Sequence, residues 1–368
     1  MKNYYLEIAG VKIKIENTNE LSNTIAHDLD AKVLNTTEVS FDLILRFNTD
    51  NFSEYKPTVY SAKGSMNFNK NEFFVGYLSG IKYKVKNLFN ESPTELDIEV
   101  NNKNIKTLLR QLYNLDFSNR YKNIILSYSL FWYILHIVLL KQQKAFLHAG
   151  VFSKGNKISV ITGTGGCGKT STLFKLLEEE NSYYIAEDFG ILNNEAETFY
   201  NPKPVSIYAS DMEFGQTILK NYHQKFTSTE KILWDAKSKF LNKNPMIKAL
   251  PQKVMDGKIK ESGKIDNILY FVRNNSLELS IDNIETDNLA ERVLDASMRE
   301  LKTLNELVLL MRANAPQDYN IPSFEEIRQK TKEVYKKAFE NTNNKIVYIP
   351  YKTKPDELVN FLKEQGLV

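Results

Sequence analysis

Between Leu6 and Ile15 the apolar side chains fall on alternate positions, Leu6 and Ile8, then Val11, Ile13 and Ile15, interrupted at Ala9-Gly10. A period of two with a turn dipeptide at its centre predicts a β-hairpin. Similar runs predict strands at Phe41–Phe47, Gly64–Phe68, Phe73–Leu78, Ile81–Val85 and Leu96–Val100, separated by Asn, Asp, Ser and Gly clusters. The pattern then lengthens to a helical period over Ile105–Leu115 and Ser118–Leu140, the second apolar on all sides and so expected to be central. Strands are expected at Phe146–Phe152, Ile158–Thr162 and Tyr183–Ala186, with a helix over Thr170–Glu179. Toward the end of the chain the pattern predicts strands at Ile268–Val272, Leu277–Ile281 and Ile346–Ile349. It predicts helices over Asp287–Ala313, Ser323–Phe339 and Pro355–Gln365. The sum is an α/β (α+β) chain in three parts: a β-rich module over 1–102, a helical bridge over 103–144 and a strand-and-helix domain over 145–368.

Composition excludes more than it identifies. Hydrophobic residues make up 42% and charged residues 25% of 368, which is globular usage. Forty-eight basic against 45 acidic residues give +3, too near balance for a dedicated nucleic-acid binder. The single cysteine, Cys167, forms no internal disulfide, and Met1–Glu7 carries no signal-peptide core, so a cytoplasmic location is expected. Ile124–Leu140 is free of formal charge, but at seventeen residues it falls short of the ~20 that span a bilayer; it reads as a buried helix, and no membrane partner is expected. Eight lysines against Asp256 and Glu261 make the stretch Lys237–Lys264 locally +6, which by itself reads as a solvated face.

The chemistry concentrates at Gly163-Thr164-Gly165-Gly166-Cys167-Gly168-Lys169-Thr170, which fits the phosphate-loop pattern G-x-x-x-x-G-K-[ST]. A β-branched run precedes it and a helical one, starting with Thr170-Ser171, follows. In that setting glycines let successive N–H groups point at one phosphate, and the helix adds the positive end of its dipole. Lys169 is expected to reach the β- and γ-phosphates of ATP, and Thr170 to place its hydroxyl on a magnesium ion, Mg2+, bridging them. Eighteen residues after Lys169, at the end of the strand Tyr183–Ala186, stand Glu187 and Asp188; one carboxylate can hold the metal while the other accepts the proton of an attacking hydroxyl. One intervening helix places that strand beside the loop. Upstream, Phe146–Phe152 and Ile158–Thr162 flank Lys154-Gly155-Asn156-Lys157, so the loop strand should be one arm of an antiparallel hairpin. His148 lies on the other arm; a solitary strand histidine is more often a satisfied core residue.

Leu147-His148-Ala149-Gly150-Val151, the hairpin, Gly163–Thr170, Glu187-Asp188 and Asn201-Pro202-Lys203-Pro204-Val205-Ser206-Ile207 resemble the core of HPr kinase/phosphorylase-related kinases, over roughly residues 145–210. That family shares the phosphoenolpyruvate carboxykinase-type P-loop fold with a mixed sheet, and its relatives often accompany peptide maturation. The resemblance implies phosphate binding by Gly163–Thr170, magnesium on Thr170 and Asp188, Glu187 as base and His148 in the active site. Two departures stand out: the family usually has Asp where this chain has Glu187, and its Arg-bearing C-terminal signature is missing, with Arg273 and Arg299 as stand-ins to neutralise transition-state charge. The expected activity is ATP- and magnesium-dependent transfer of a phosphoryl group to a hydroxyl, first of all Ser or Thr of a peptide or protein. Alternatives are a small-molecule kinase on the same core and a nucleotide-binding regulatory subunit; the sequence leaves a homo-oligomer open.

Overall fold

The computed structural model describes residues 3–16, 20–34, 40–47, 59–61, 64–69, 71–78, 81–100, 130–208, 217–228, 231–232, 234–236, 246–315 and 319–368. The helix expected over Ile105–Leu115, residues 118–129 of the next, and Lys237, Lys239 and Lys243 lie outside them. In chain order the first elements are β1 (Asn3–Ile8), β2 (Val11–Glu16), α1 (Glu20–Asp28), β3 (Lys32–Val33), β4 (Leu43–Phe47), β5 (Val59–Ser61), β6 (Gly64–Asn69), β7 (Glu72–Leu78), β8 (Ile81–Lys86), β9 (Thr94–Val100) and α2 (Leu130–Lys141). Then come β10 (Lys144–Lys154), β11 (Lys157–Gly163), α3 (Lys169–Leu177), β12 (Ser182–Ala186), β13 (Phe189–Asn193), β14 (Glu197–Phe199), β15 (Val205–Tyr208), α4 (Thr217–Gln224), β16 (Met246–Ala249), α5 (Pro251–Met255), β17 (Ser262–Lys264), β18 (Asn267–Asn274) and β19 (Ser280–Asn283). The last are α6 (Thr286–Glu300), α7 (Lys302–Asn314), α8 (Phe324–Phe339), β20 (Asn343–Pro350) and α9 (Pro355–Glu364). The protein is thus mixed α/β with large mixed sheets, and among the described residues no helix is long and apolar enough to cross a membrane.

Two compact units divide the chain: 1–142 with 301–327, and 143–300 with 328–368. In the first unit the hairpin expected at Ala9-Gly10 forms, Ile8 opposite Val11, with both turn residues at positive φ. Its sheet runs β3-β1-β2-β4-β9-β8-β7-β6-β5. It is mixed rather than a simple meander: β2, β4 and β9 run parallel, and α1, which the sequence pattern did not predict, supplies the crossover between the first two. Ile13, Ile15, Leu43, Leu45, Phe47, Leu96, Ile98 and Ile25 are all buried in this unit. Across the same three strands Arg46 bonds Glu16 at 2.9 Å and Glu95 at 2.5 Å. Helix α2, with Leu130 to Leu139 buried, is the described end of the apolar run read as central.

The second unit holds a sheet in the order β17-β14-β13-β10-β11-β18-β20-β19, with β12 also on β10. The β10–β11 hairpin forms as its sequence requires, from Ala149 opposite Thr162 to Lys154 opposite Lys157. Strands β11, β18 and β20 run parallel, so the chain needs helical crossovers there; α3 packs on this part of the sheet and α9 packs on α3. The pattern of Asp287–Ala313 misled: Leu301 breaks it into α6 and α7, and α7 belongs to the first unit, not to the domain drawn over 145–368. The strand expected from Leu277 begins only at Ser280, with Leu277 97% exposed.

Candidate functional site

The loop between β11 and α3 is built by three left-handed glycines. Gly163, Gly166 and Gly168 have φ of +143°, +81° and +101°. At Gly163 a Cβ would lie 2.6 Å from the Phe271 carbonyl oxygen, so no other residue fits there without moving β18. The loop closes on itself through Lys169, whose Nζ donates to the carbonyls of Gly163 at 2.9 Å and Thr164 at 3.0 Å. Ser171 and Thr172 hydroxyls both donate to the Gly168 carbonyl, tying down the first turn of α3. Cys167 is buried; burial pushes its thiol up, against the lowering pull of Lys169.

The acid pair reaches the loop, as the sequence leads one to expect, but on a strand with a different neighbour. Strand β12 does not flank the loop strand; it pairs with β10, one strand away. The strand ends at the acids as expected, at Ala186, but a second strand, β13, resumes directly after them at Phe189. Tyr184 lies opposite Phe152, the register slips by one residue so that Ala186 meets Val151, and Phe189 lies opposite His148, with Glu187-Asp188 a two-residue break between the two strands. Asp188 sits there at φ +68°, a conformation that Asp tolerates better than most residues.

That break sends the two carboxylates to different partners. Glu187 is buried and accepts a hydrogen bond from Thr170 Oγ1 at 2.9 Å, which joins the acid to the start of α3. Burial raises its carboxyl above the ordinary value, and the Asp188 charge adds to this; Lys203, Thr170 and Lys248 oppose without cancelling it. Asp188 contacts His148 Nδ1 at 3.3 Å with one oxygen and the Lys203 ammonium with the other. Burial alone would raise Asp188, but the Lys203 charge and His148 outweigh it and hold this carboxyl well below the usual range. Burial likewise works against the Lys203 charge, and Asp188 and Glu187 more than restore it. Two adjacent carboxylates pushed in opposite directions can take different chemical roles.

His148 is 7% exposed, its backbone N–H donates to Ser297 Oγ at 3.0 Å, and neither ring nitrogen has a hydrogen bond of good geometry. A ligand atom each from His148, Asp188 and Glu300 lies within 4.8 Å of the others. The two carboxylates among these three donors suit a hard divalent cation. Helix α6 carries both Ser297 and Glu300, so its C-terminal turn borders the acids.

Of the residues singled out in sequence, the structure brings together Gly163–Ser171, Glu187, Asp188 and His148. Arg273 borders the loop: a Cβ on Gly168 would meet its Nη2 at 3.4 Å, and its guanidinium donates to the Tyr351 and Thr353 carbonyls. Arg299, next to Glu300, is exposed. Sequence reasoning missed Lys203, Lys248 and Glu300. A lysine locked between Pro202 and Pro204 was a usable signal; Glu300, more than a hundred residues from the acids, left none. Lys248, one of the eight lysines of the basic stretch, is no simple solvated charge. It is paired through β16 with Ser206, bonds that hydroxyl, and is lowered to about 8 by burial first and by Lys203 second. Comparison with protein-family models and with curated proteins returned no match.

Proposed function

We propose that the chain is an ATP- and magnesium-dependent kinase related to the HPr kinase/phosphorylase group, acting on a hydroxyl, first of all Ser or Thr of a peptide or protein substrate. The observation that carries the reading is the 2.9 Å contact between Thr170, at the helix start of a fitted phosphate-loop sequence, and the buried Glu187. Loop N–H groups and the α3 dipole favour anionic oxygens at that spot. Lys169, held on loop carbonyls at 2.9 and 3.0 Å, is within its own side-chain reach of any phosphate on the loop. Thr170 and Asp188 are the residues that would hold magnesium, which supplies charge neutralisation of the phosphates when bound. Glu187 takes the proton of the attacking hydroxyl; a carboxyl raised by burial is a better proton acceptor near neutral pH than an ordinary one. His148, buried beside Asp188, orients that carboxylate.

The reading is tested by offering purified protein and γ-labelled ATP with magnesium to a panel of Ser- and Thr-containing peptides and of free hydroxylated metabolites. Label on a peptide supports the reading, and label on a metabolite moves the acceptor to the small-molecule class. ATP bound with no label moved, on peptides of every class and on metabolites alike, contradicts the kinase and favours a regulatory nucleotide-binding protein.

A further inference from the structure

The segment Asn201–Ile207 is a motif to which the reaction above assigns no task, yet its start is laced to both sides of the acid pair. Asn201 N–H donates to the Ile185 carbonyl at 3.1 Å, just before Glu187-Asp188, and its Nδ2 donates to the Phe189 carbonyl at 2.6 Å, just after. Asn201 Oδ1 in turn accepts from the Lys203 N–H at 3.0 Å. Asn201 is fully buried and Lys203 is 4% exposed. Pro202 and Pro204 fix φ on either side, so the direction in which Lys203 leaves the backbone is set before any ligand arrives. Its side chain crosses the Phe189 ring, with Nζ 4.7 Å from the centroid, and ends on Asp188 Oδ2.

We propose that Lys203 is a positioning residue for the divalent-cation ligand Asp188, an inference that rests on the kinase reading. Asp188 stands in a left-handed backbone conformation at a break between two strands, where its carboxylate has no ladder to hold it. The ammonium grips one oxygen, His148 lies 3.3 Å from the other, and the carboxylate is oriented before metal binding. An oriented ligand loses less freedom on binding, and outer partners of metal ligands commonly govern affinity in this way. Lys203 also offsets part of the negative charge that Glu187, Asp188 and Glu300 bring to one spot. The pair is therefore a compromise: the lysine repels a cation, and it prepares the carboxylate that takes one.

The test is titration of ATP binding with magnesium and with a chelator, for the wild type, Lys203→Met, Lys203→Gln and Lys203→Arg, each checked for folding by its thermal melt. In the wild type magnesium should tighten ATP binding. Lys203→Met should lose that magnesium-dependent gain by ~10-fold or more, the size usual for outer partners of metal ligands, with affinity in chelator unchanged. Lys203→Arg, which keeps a cation at the same place, should restore most of it. Lys203→Gln, which keeps a donor and stays foldable if Met does not, should show an intermediate loss. A full gain in Lys203→Met and Lys203→Gln overturns the inference, as does an equal loss with and without magnesium, which is what a merely structural lysine would give. A wild type that binds no ATP at all contradicts the kinase reading itself, and the inference with it.

Discussion

Replacing Asp188 by Asn removes a charge and almost no volume, so its consequences follow from what the charge was holding. The group left behind is the Lys203 ammonium, 4% exposed and still bracketed by two prolines. Breaking a buried ion pair from one side costs about 3–5 kcal/mol because the partner charge stays buried and unpaired. Here Glu187 remains near enough to share the cation, and the Asp188 side chain itself is 29% exposed, so the low end applies, about 3 kcal/mol. For a unit of 150–250 residues, where ~1 kcal/mol moves the melting temperature by ~2–4 °C, that is a fall of about 6–12 °C. Thermal and urea unfolding of the second unit, followed by circular dichroism, measure it. Adding Lys203→Met to Asp188→Asn should recover about 2 kcal/mol, since Met lies over the Phe189 ring without a charge to strand. The pH dependence has a definite sign. A carboxyl whose folded pKa is depressed contributes stability that is full above its unfolded pKa, ~3.9, and is lost as pH falls below it. The gap between wild type and Asp188→Asn should therefore be constant from about pH 5 upward and narrow in more acidic buffer. A variant within 1 kcal/mol of wild type, or a double variant less stable than the single one, would refute the reasoning.

Further outcomes follow from the same geometry. Glu187 has a raised folded pKa, so its ionised form costs stability at neutral pH; Glu187→Gln keeps an acceptor for Thr170 and should melt no lower than wild type in calorimetry at pH 7.5. Lys248, lowered to about 8 where the unfolded lysine titrates near ~10.4, makes folding release a proton between those values, so its contribution to stability rises with pH in that window; the slope should vanish in Lys248→Met. Cys167, 4% exposed with a raised thiol, should react with iodoacetamide at pH 7.5 far more slowly than free cysteine, and with similar speed with and without ATP; rapid modification would contradict the closed loop. Gly163→Ala places a Cβ against the Phe271 carbonyl and should abolish ATP binding or fold poorly, as read by nucleotide titration and melting.

Features written in contiguous residues were legible in the chain. The hairpin at Ala9-Gly10, the hairpin of β10 and β11, and the strand–loop–helix around Gly163–Lys169 each announce themselves within about twenty residues, through period and turn chemistry. What the sequence hid was contact made at a distance or against the period. The break at Leu301 leaves the helical spacing of Asp287–Ala313 intact, so nothing local marks it or the change of unit that follows. The parallel order of β2, β4 and β9 depends on α1, a nine-residue helix with few apolar anchors. Glu187 and Asp188 were found as a pair, but a strand that resumes after them was not, because a left-handed Asp leaves no compositional trace. Glu300 joins the site only through packing, more than a hundred residues from the acids, and its charge looks like any other surface charge, whereas Lys203 left a trace in its flanking prolines.

This loop and Glu187 are proposed to form one phosphoryl-transfer site. Single-turnover transfer from γ-labelled ATP, with nucleotide binding measured in the same samples, tests it on wild type and Glu187→Gln. Glu187→Gln should bind magnesium-ATP as wild type does and transfer its phosphate at least ~100-fold more slowly, the lower range for losing a general base. Equal transfer rates in the two proteins would contradict it.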